Sequence, residues 1–176
     1  MKKNTKKNTY FKVGVSGVHG AGKSYKVLDL SMQYKKKYPT KTIHILQENV
    51  IKCPLSFNEK STYETQLWIV ADQIKAEIEA CELYDIVICD RCVYDPIAYA
   101  MATDLNDTKE LLWEFLKPWG KTYDLNYLMN GDTNNHIYDN GVRSIDPEFR
   151  TKVDGCFKEL FYDLDTGGYL NEVEIL

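Results

Sequence analysis

The sequence predicts an α/β protein: a doubly wound parallel sheet of about five strands with helices on both faces. Three observations lead there. Short apolar runs alternate with longer stretches of helical period, the order of a parallel sheet wound with crossover helices. The run Asp85-Ile86-Val87-Ile88-Cys89-Asp90 has a continuous apolar centre, as a strand covered on both faces does. The first apolar run, Phe11 to Ser16, leads through a glycine-rich turn directly into a helical stretch. In such a sheet, ligands bind at the carboxyl ends of the strands.

The elements follow in order. Strand one covers Phe11 to Ser16, and the first helix covers Lys23 to Lys37, with Tyr25, Leu28 and Met32 near helical spacing. Pro39 marks a turn before strand two, Thr42 to Leu46. Ile51 to Lys60 contains Pro54 and polar turn residues and reads as a loop. A long helix from Ser61 to Glu82 has Tyr63, Leu67, Ala71, Ile74, Ile78 and Cys81 along one expected apolar face. After strand three come helices over Pro96–Thr103 and Asp107–Lys117, the second expected to end before Pro118. Leu125 to Met129 is strand four. The polar stretch from Asn130 to Asp146 is expected to form a lid loop, near 130–147. Asp146-Pro147 reads as the N-cap and first residue of a last helix, whose apolar face is Phe149, Val153, Phe157, Leu160 and Leu164. Glu172 to Leu176 alternates and reads as an edge strand.

The 176 residues suit one domain over 11–176 with a core of its own, preceded by a basic tail over 1–10. The tail has no apolar segment and no run of about 18 apolar residues follows, so neither a secretory signal nor a membrane span is expected. Acids outnumber bases, 26 to 22, and the net charge of −4 argues against a broad nucleic-acid surface, so no stable nucleic-acid partner is expected. Five cysteines, an odd number, suggest reduced thiols and a cytoplasmic setting. Cys89 and Cys92 form a lone C-x-x-C without the further ligands that zinc needs, and packing is the expected role.

The chemistry concentrates in two segments. Gly17-Val18-His19-Gly20-Ala21-Gly22-Lys23-Ser24 fits G-x-x-x-x-G-K-S, a phosphate-binding loop lying between a strand and a helix. Its glycines let backbone N–H groups point at a phosphate, and the helix N-terminus adds partial positive charge. The expected nucleotide-binding residues are this octet with the adjoining Tyr25, and Arg150 from the last helix. Lys23 would reach the β- and γ-phosphates of ATP, and Ser24 would ligate Mg²⁺. The His19 side chain is expected to point outward and is given no chemistry. Strand three ends in Asp90-Arg91, so Asp90 could hold Mg²⁺ opposite Ser24 while Arg91 meets phosphate oxygens. Arg143, after the Asn140-Gly141 turn, could swing in from the lid; Arg150 could do the same or pair with Asp154. Gln66 and Gln73 could present amides to a base.

With Asp95 and Ala98-Tyr99 downstream, Asp90-Arg91 resembles the D-R signature of thymidylate kinase-like proteins. The chain as a whole resembles P-loop nucleoside and nucleotide kinases and single-domain P-loop ATPases related to nicotinamide riboside kinase domains. In deoxynucleoside kinases an acid after strand two, in a Glu-Pro-Val-like motif, takes the proton of the attacking hydroxyl. Glu48 of Gln47-Glu48-Asn49-Val50 matches that acid, with Asn49 in place of the proline. The resemblance implies a Mg²⁺–ATP-dependent phosphotransferase with a small-molecule nucleoside or nucleotide acceptor, a deoxynucleoside monophosphate first. Lys23, Glu48, Asp90, Arg91 and Arg143 would be its catalytic residues. The alternatives are a nicotinamide riboside-type kinase and a nucleotide-dependent regulatory ATPase. Oligomeric state is left open, with a homodimer among the expectations.

Overall fold

A computed structural model describes residues 9–48, 50–131 and 144–176. The expected tail lies outside them up to residue 8, and most of the expected lid, residues 132–143, lies outside them too. Five strands form one sheet: β1 (Phe11–Ser16), β2 (Ile43–Leu46), β3 (Ile86–Asp90), β4 (Leu125–Leu128) and β5 (Val173–Ile175). Their order is β2-β3-β1-β4-β5, and every pairing is parallel. The last strand lies at the edge, as its alternating sequence predicts. Among the described residues, no helix is long and apolar enough to cross a membrane.

Strand alternation sorts the core into two layers. Val13, Val15, Ile86, Ile88, Leu125 and Tyr127 face one way and pack with Val27 and Leu30 of α1 (Lys23–Lys37). Val87, Cys89 and Leu128 face the other way. There they meet α2 (Tyr63–Leu83), α3 (Asp95–Ala102), α4 (Asn106–Gly120) and α5 (Pro147–Thr166). Tyr25, Leu28 and Met32 of α1 are exposed, so that row is not the helix's inner face.

Helix α2 departs furthest from the apolar-face expectation. Tyr63 and Ile78 are exposed, whereas Thr65, Gln66, Gln73 and Glu77 are buried beside Val70, Ala80 and Cys81. The inward polar groups are satisfied by partners remote in sequence. Lys12, on the same side of the sheet as α2, donates to Glu77 Oε2 at 2.8 Å and to Thr122 Oγ1 at 2.6 Å. Glu77 also accepts from Trp119 Nε1, Tyr123 Oη and Gln73 Nε2. The ammonium lies 4.1 Å from the Tyr123 ring centroid, close enough for a cation–π contact. Desolvating two ions costs several kcal/mol each, and a pair survives burial only when hydrogen bonds and charge offset that cost, as they do here.

Helix α4 continues through Pro118 rather than ending before it. Pro118 stands in the final turn, where it forfeits the N–H bond to the Glu114 carbonyl but leaves only two helical residues beyond it to displace. That turn is anchored from outside: Trp119 bonds Glu77, and Gly120 lies under the Tyr94 hydroxyl, 1.7 Å from where a Cβ would stand. Helix α5 begins as predicted, with Asp146 accepting from the Glu148 N–H at 2.9 Å.

Replacing Lys12 by Met leaves Glu77 as an uncompensated buried charge. Urea unfolding should show a loss of about 3–5 kcal/mol, with the midpoint falling and the slope held; an unchanged midpoint would show that the pair contributes nothing net.

Candidate active site

The carboxyl ends of β1 and β3 lie side by side, with Val15 paired to Asp90. The glycine-rich loop leaves β1 at Gly17, whose φ of 138° and close approach to β4 exclude a side chain: a Cβ would stand 2.5 Å from the Met129 carbonyl oxygen. Gly22 caps α1 in a left-handed conformation, φ 85°. Lys23 folds back, and its Nζ donates to the Gly17 and Val18 carbonyls at 2.8 Å each. Burial, and then the charge of Arg91, lower the Lys23 ammonium to about 7. Ser24 donates to Asp90 Oδ2 at 2.7 Å. A cleft of about 180 Å³ opens here between Gly20, Lys23, Ser24, Tyr25, Asp90 and Arg91.

Asp90 Oδ1 is buried with no hydrogen-bond partner among the described residues. An orphaned carboxylate oxygen beside a serine hydroxyl is a hard-oxygen donor set that fits Mg²⁺ completed by phosphate and water. Among the described residues, no cluster of three His, Cys, Asp or Glu could hold a metal by itself.

Arg91 occupies the junction. Its Nε donates to Glu48 Oε1 at 2.5 Å and its Nη1 to Asp95 Oδ2 at 3.0 Å. Burial alone disfavours the guanidinium charge; Glu48, Tyr99 and Asp95 more than offset it, so the group stays cationic. Asp95 also accepts from the Ser16 hydroxyl at 2.6 Å and the Cys92 N–H at 3.3 Å. Burial raises the Asp95 carboxyl, against the pull of Arg91 and Lys23.

Beyond Arg91 lies a second cavity of about 220 Å³. Its walls include Val50, Phe57, Ile69, Pro96 and Tyr99, and Gln66 contributes a buried amide whose Oε1 has no partner among the described residues. The two cavities share His19, Glu48 and Arg91.

The structure brings together most of the residues singled out in the sequence. Gly20, Gly22, Lys23, Ser24, Tyr25, Glu48, Asp90 and Arg91 border one cleft. Val18 is fully buried, so only its backbone is available to the loop. Gln66 reaches the second cavity, but Gln73 does not line it: its amide bonds Glu77 and the Arg91 carbonyl. Arg150 is buried rather than solvated, and its expected partner Asp154 instead takes Lys158 and the Gly131 N–H. Arg143 lies outside the described residues. His19 is a correction: its ring is 3 % exposed, turned inward against the Tyr99 hydroxyl rather than outward. Asp95 joined the sequence signature without a role, yet it braces Arg91; its signal was an acid four residues after Arg91, at the first residue of α3. Cys92 is buried against Ser16, a packing position, and all five cysteines are free.

The lowered Lys23 value generates a prediction. Above about 7 the ammonium is partly deprotonated, while a bound triphosphate favours its charged form. ATP binding at pH 8 should therefore take up a proton, so its calorimetric enthalpy should change with buffer ionisation enthalpy, and affinity should fall as pH rises through this range. Lys23→Met should abolish the buffer dependence.

Comparison with known proteins bears on the whole chain. The family model described as an AAA domain matches residues 12–166. No curated protein matches the sequence. Among solved structures, deoxyadenosine kinase from M. mycoides is similar at TM-score 0.64 and 19% identity, over 95% of this chain and 90% of that one. Thymidylate kinase from Candida albicans gives 0.68 and 16%, over 96% and 83%. The thymidylate kinase of Ehrlichia chaffeensis gives 0.66 and 17%, over 96% and 93%. At such identities the likeness speaks for the fold, and the family match for membership. The chain belongs to the AAA domain family and has the P-loop fold shared by nucleoside and nucleotide kinases.

Proposed function

We propose that this protein is a Mg²⁺–ATP-dependent kinase that phosphorylates the hydroxyl of a nucleoside. The observation that carries the reading is the contact of two unlike cavities at Glu48 and Arg91. One is a small polar cleft at the phosphate-binding loop; the other is larger, apolar and partly aromatic, with a buried amide. This is the pairing of a donor-phosphate site with a site for an uncharged, flat acceptor.

Each residue then has a task. The loop amides and Lys23 hold the donor phosphates. Ser24 and Asp90 would hold Mg²⁺, which when bound offsets charge on phosphate oxygens. Tyr99 and Phe57 give apolar surface to a base, and the Gln66 amide offers it one donor and one acceptor. The acceptor oxygen forms its bond to the γ-phosphorus as the bond to the β-phosphate oxygen breaks and ADP leaves. Glu48 takes the hydroxyl proton. Arg91, braced by two carboxylates, stabilises the charge spreading over the phosphoryl oxygens.

Charge favours a nucleoside over a monophosphate, reversing the order expected from the sequence. Among the described residues lining the acceptor cavity, Arg91 is the one permanent cation, and Glu48 and Asp95 already pair with it. A monophosphate would bring about two more negative charges to two carboxylates.

A mass-spectrometric screen of nucleosides and their 5′-monophosphates with Mg²⁺–ATP should give products only from nucleosides. Products confined to monophosphates would restore the first ordering, and ATP hydrolysis with no acceptor product would favour a regulatory ATPase. With the acceptor in hand, Glu48→Gln should slow single-turnover transfer by roughly 10²–10⁴-fold and leave ATP affinity nearly unchanged, the range for losing general-base assistance. Unchanged transfer would remove Glu48 from the chemistry.

A further inference from the structure

His19 is the one residue of the glycine-rich loop that borders both cavities. Its ring is buried between the P-loop and α3, and Nδ1 lies 3.0 Å from the Tyr99 hydroxyl. The two rings stack loosely, with centroids 6.4 Å apart. The Tyr99 ring has a second neighbour: the Arg91 guanidinium lies over its face, 5.5 Å from the centroid. A neutral imidazole has one accepting nitrogen, and with the Tyr99 hydroxyl donating to Nδ1 the other nitrogen carries the ring proton. The imidazole proton is then on Nε2. That atom is buried with no hydrogen-bond partner among the described residues.

The surroundings keep the ring neutral. Burial, then Arg91 and Lys23, hold the imidazole down at about 4, with Arg150 adding in the same sense and the Ser144 backbone opposing. A neutral N–H donor between two cations suits an anionic oxygen that must pass and leave. It contributes a hydrogen bond without the permanent charge that would hold product in place.

We propose that His19 is a catalytic residue whose Nε2–H donates to an oxygen of the transferring γ-phosphoryl group at the boundary between the donor cleft and the acceptor cavity. Tyr99 fixes the tautomer and the ring plane, and through Arg91 ties that donor to Glu48. The inference rests on the phosphotransferase reading, because it needs a γ-phosphate to cross this boundary, but it does not depend on which acceptor receives it.

The test uses the full chain and two probes, Mg²⁺–AMP-PNP and Mg²⁺–ADP, which differ by the γ-phosphoryl position. His19→Phe keeps a ring and removes the donor; His19→Asn keeps a neutral N–H. By calorimetry, His19→Phe should bind AMP-PNP about tenfold more weakly, the scale of a lost hydrogen bond to a charged group, while ADP affinity stays within about twofold. His19→Asn should recover part of the AMP-PNP affinity. Retained ADP binding shows that the variant is folded. Wild-type AMP-PNP affinity in His19→Phe, or equal losses for both nucleotides, overturns the role given to His19 and leaves the kinase reading standing. Failure of the wild-type protein to bind either nucleotide overturns both.

Discussion

The guanidinium of Arg91 is the vertex on which the site is built. Three segments end at it: the end of β2 with Glu48, the end of β3 with Arg91 itself, and the start of α3 with Asp95. The backbone there is left-handed, φ 83°, which costs a side-chain-bearing residue roughly 1–2 kcal/mol. It is held by bonds on both sides: the Arg91 N–H donates to the Val15 carbonyl at 3.0 Å and its carbonyl accepts from Gln73 at 3.2 Å. Strain maintained in this way, at the end of a central strand and between two carboxylates, aims one cation at one place.

Helix α2 transmits that constraint into the core. Its buried polar residues recur at turn-like intervals. Glu77 closes the Lys12 pair, Gln73 bridges Glu77 to the Arg91 carbonyl, and Gln66 ends in the acceptor cavity. A single rigid helix therefore sets the distance between the core ion pair, the junction and the far wall of the cavity. A polar rail of this kind is tolerated because nearly every atom along it has a partner. The exception, Gln66 Oε1, is the one that lines a cavity, where a ligand could complete it.

The same rail explains what was legible in the sequence. The alternating elements of an α/β sheet, the phosphate-binding loop and Asp90-Arg91 could be read because each is local: a run of apolar residues, an octet of fixed spacing, a strand end. The inner face of α2 could not, because period analysis counts apolar residues and its inward positions are Thr65, Gln66, Gln73 and Glu77. Only the three-dimensional partners Lys12, Trp119 and Tyr123 make those positions affordable. The outward row on α1 fails for the mirror reason: Tyr25, Leu28 and Met32 keep helical spacing on a face that nothing described covers. Pro118 misleads because the rule about proline says nothing of the anchors beyond it. His19 was misjudged because its burial comes from Tyr99, 80 residues away.

The neutrality of the acceptor side follows from the vertex as well. Arg91 can be buried as a cation because Glu48 and Asp95 accompany it and offset its desolvation in a site of low dielectric. The triad sets one cation against two acids before any ligand arrives, so Arg91 offers no unmatched positive charge to a second anion. Into such a site an acceptor can bring hydroxyls and a base at little electrostatic cost, whereas a second phosphate would have to displace one of the acids from Arg91. Displacement would free the guanidinium but also release the bond that positions it, or separate Glu48 from the hydroxyl it serves. On the proposed kinase reading, the geometry that makes Arg91 exact in position would select against charge in its second ligand, and specificity for an uncharged acceptor would emerge from how the cation is held rather than from any dedicated contact.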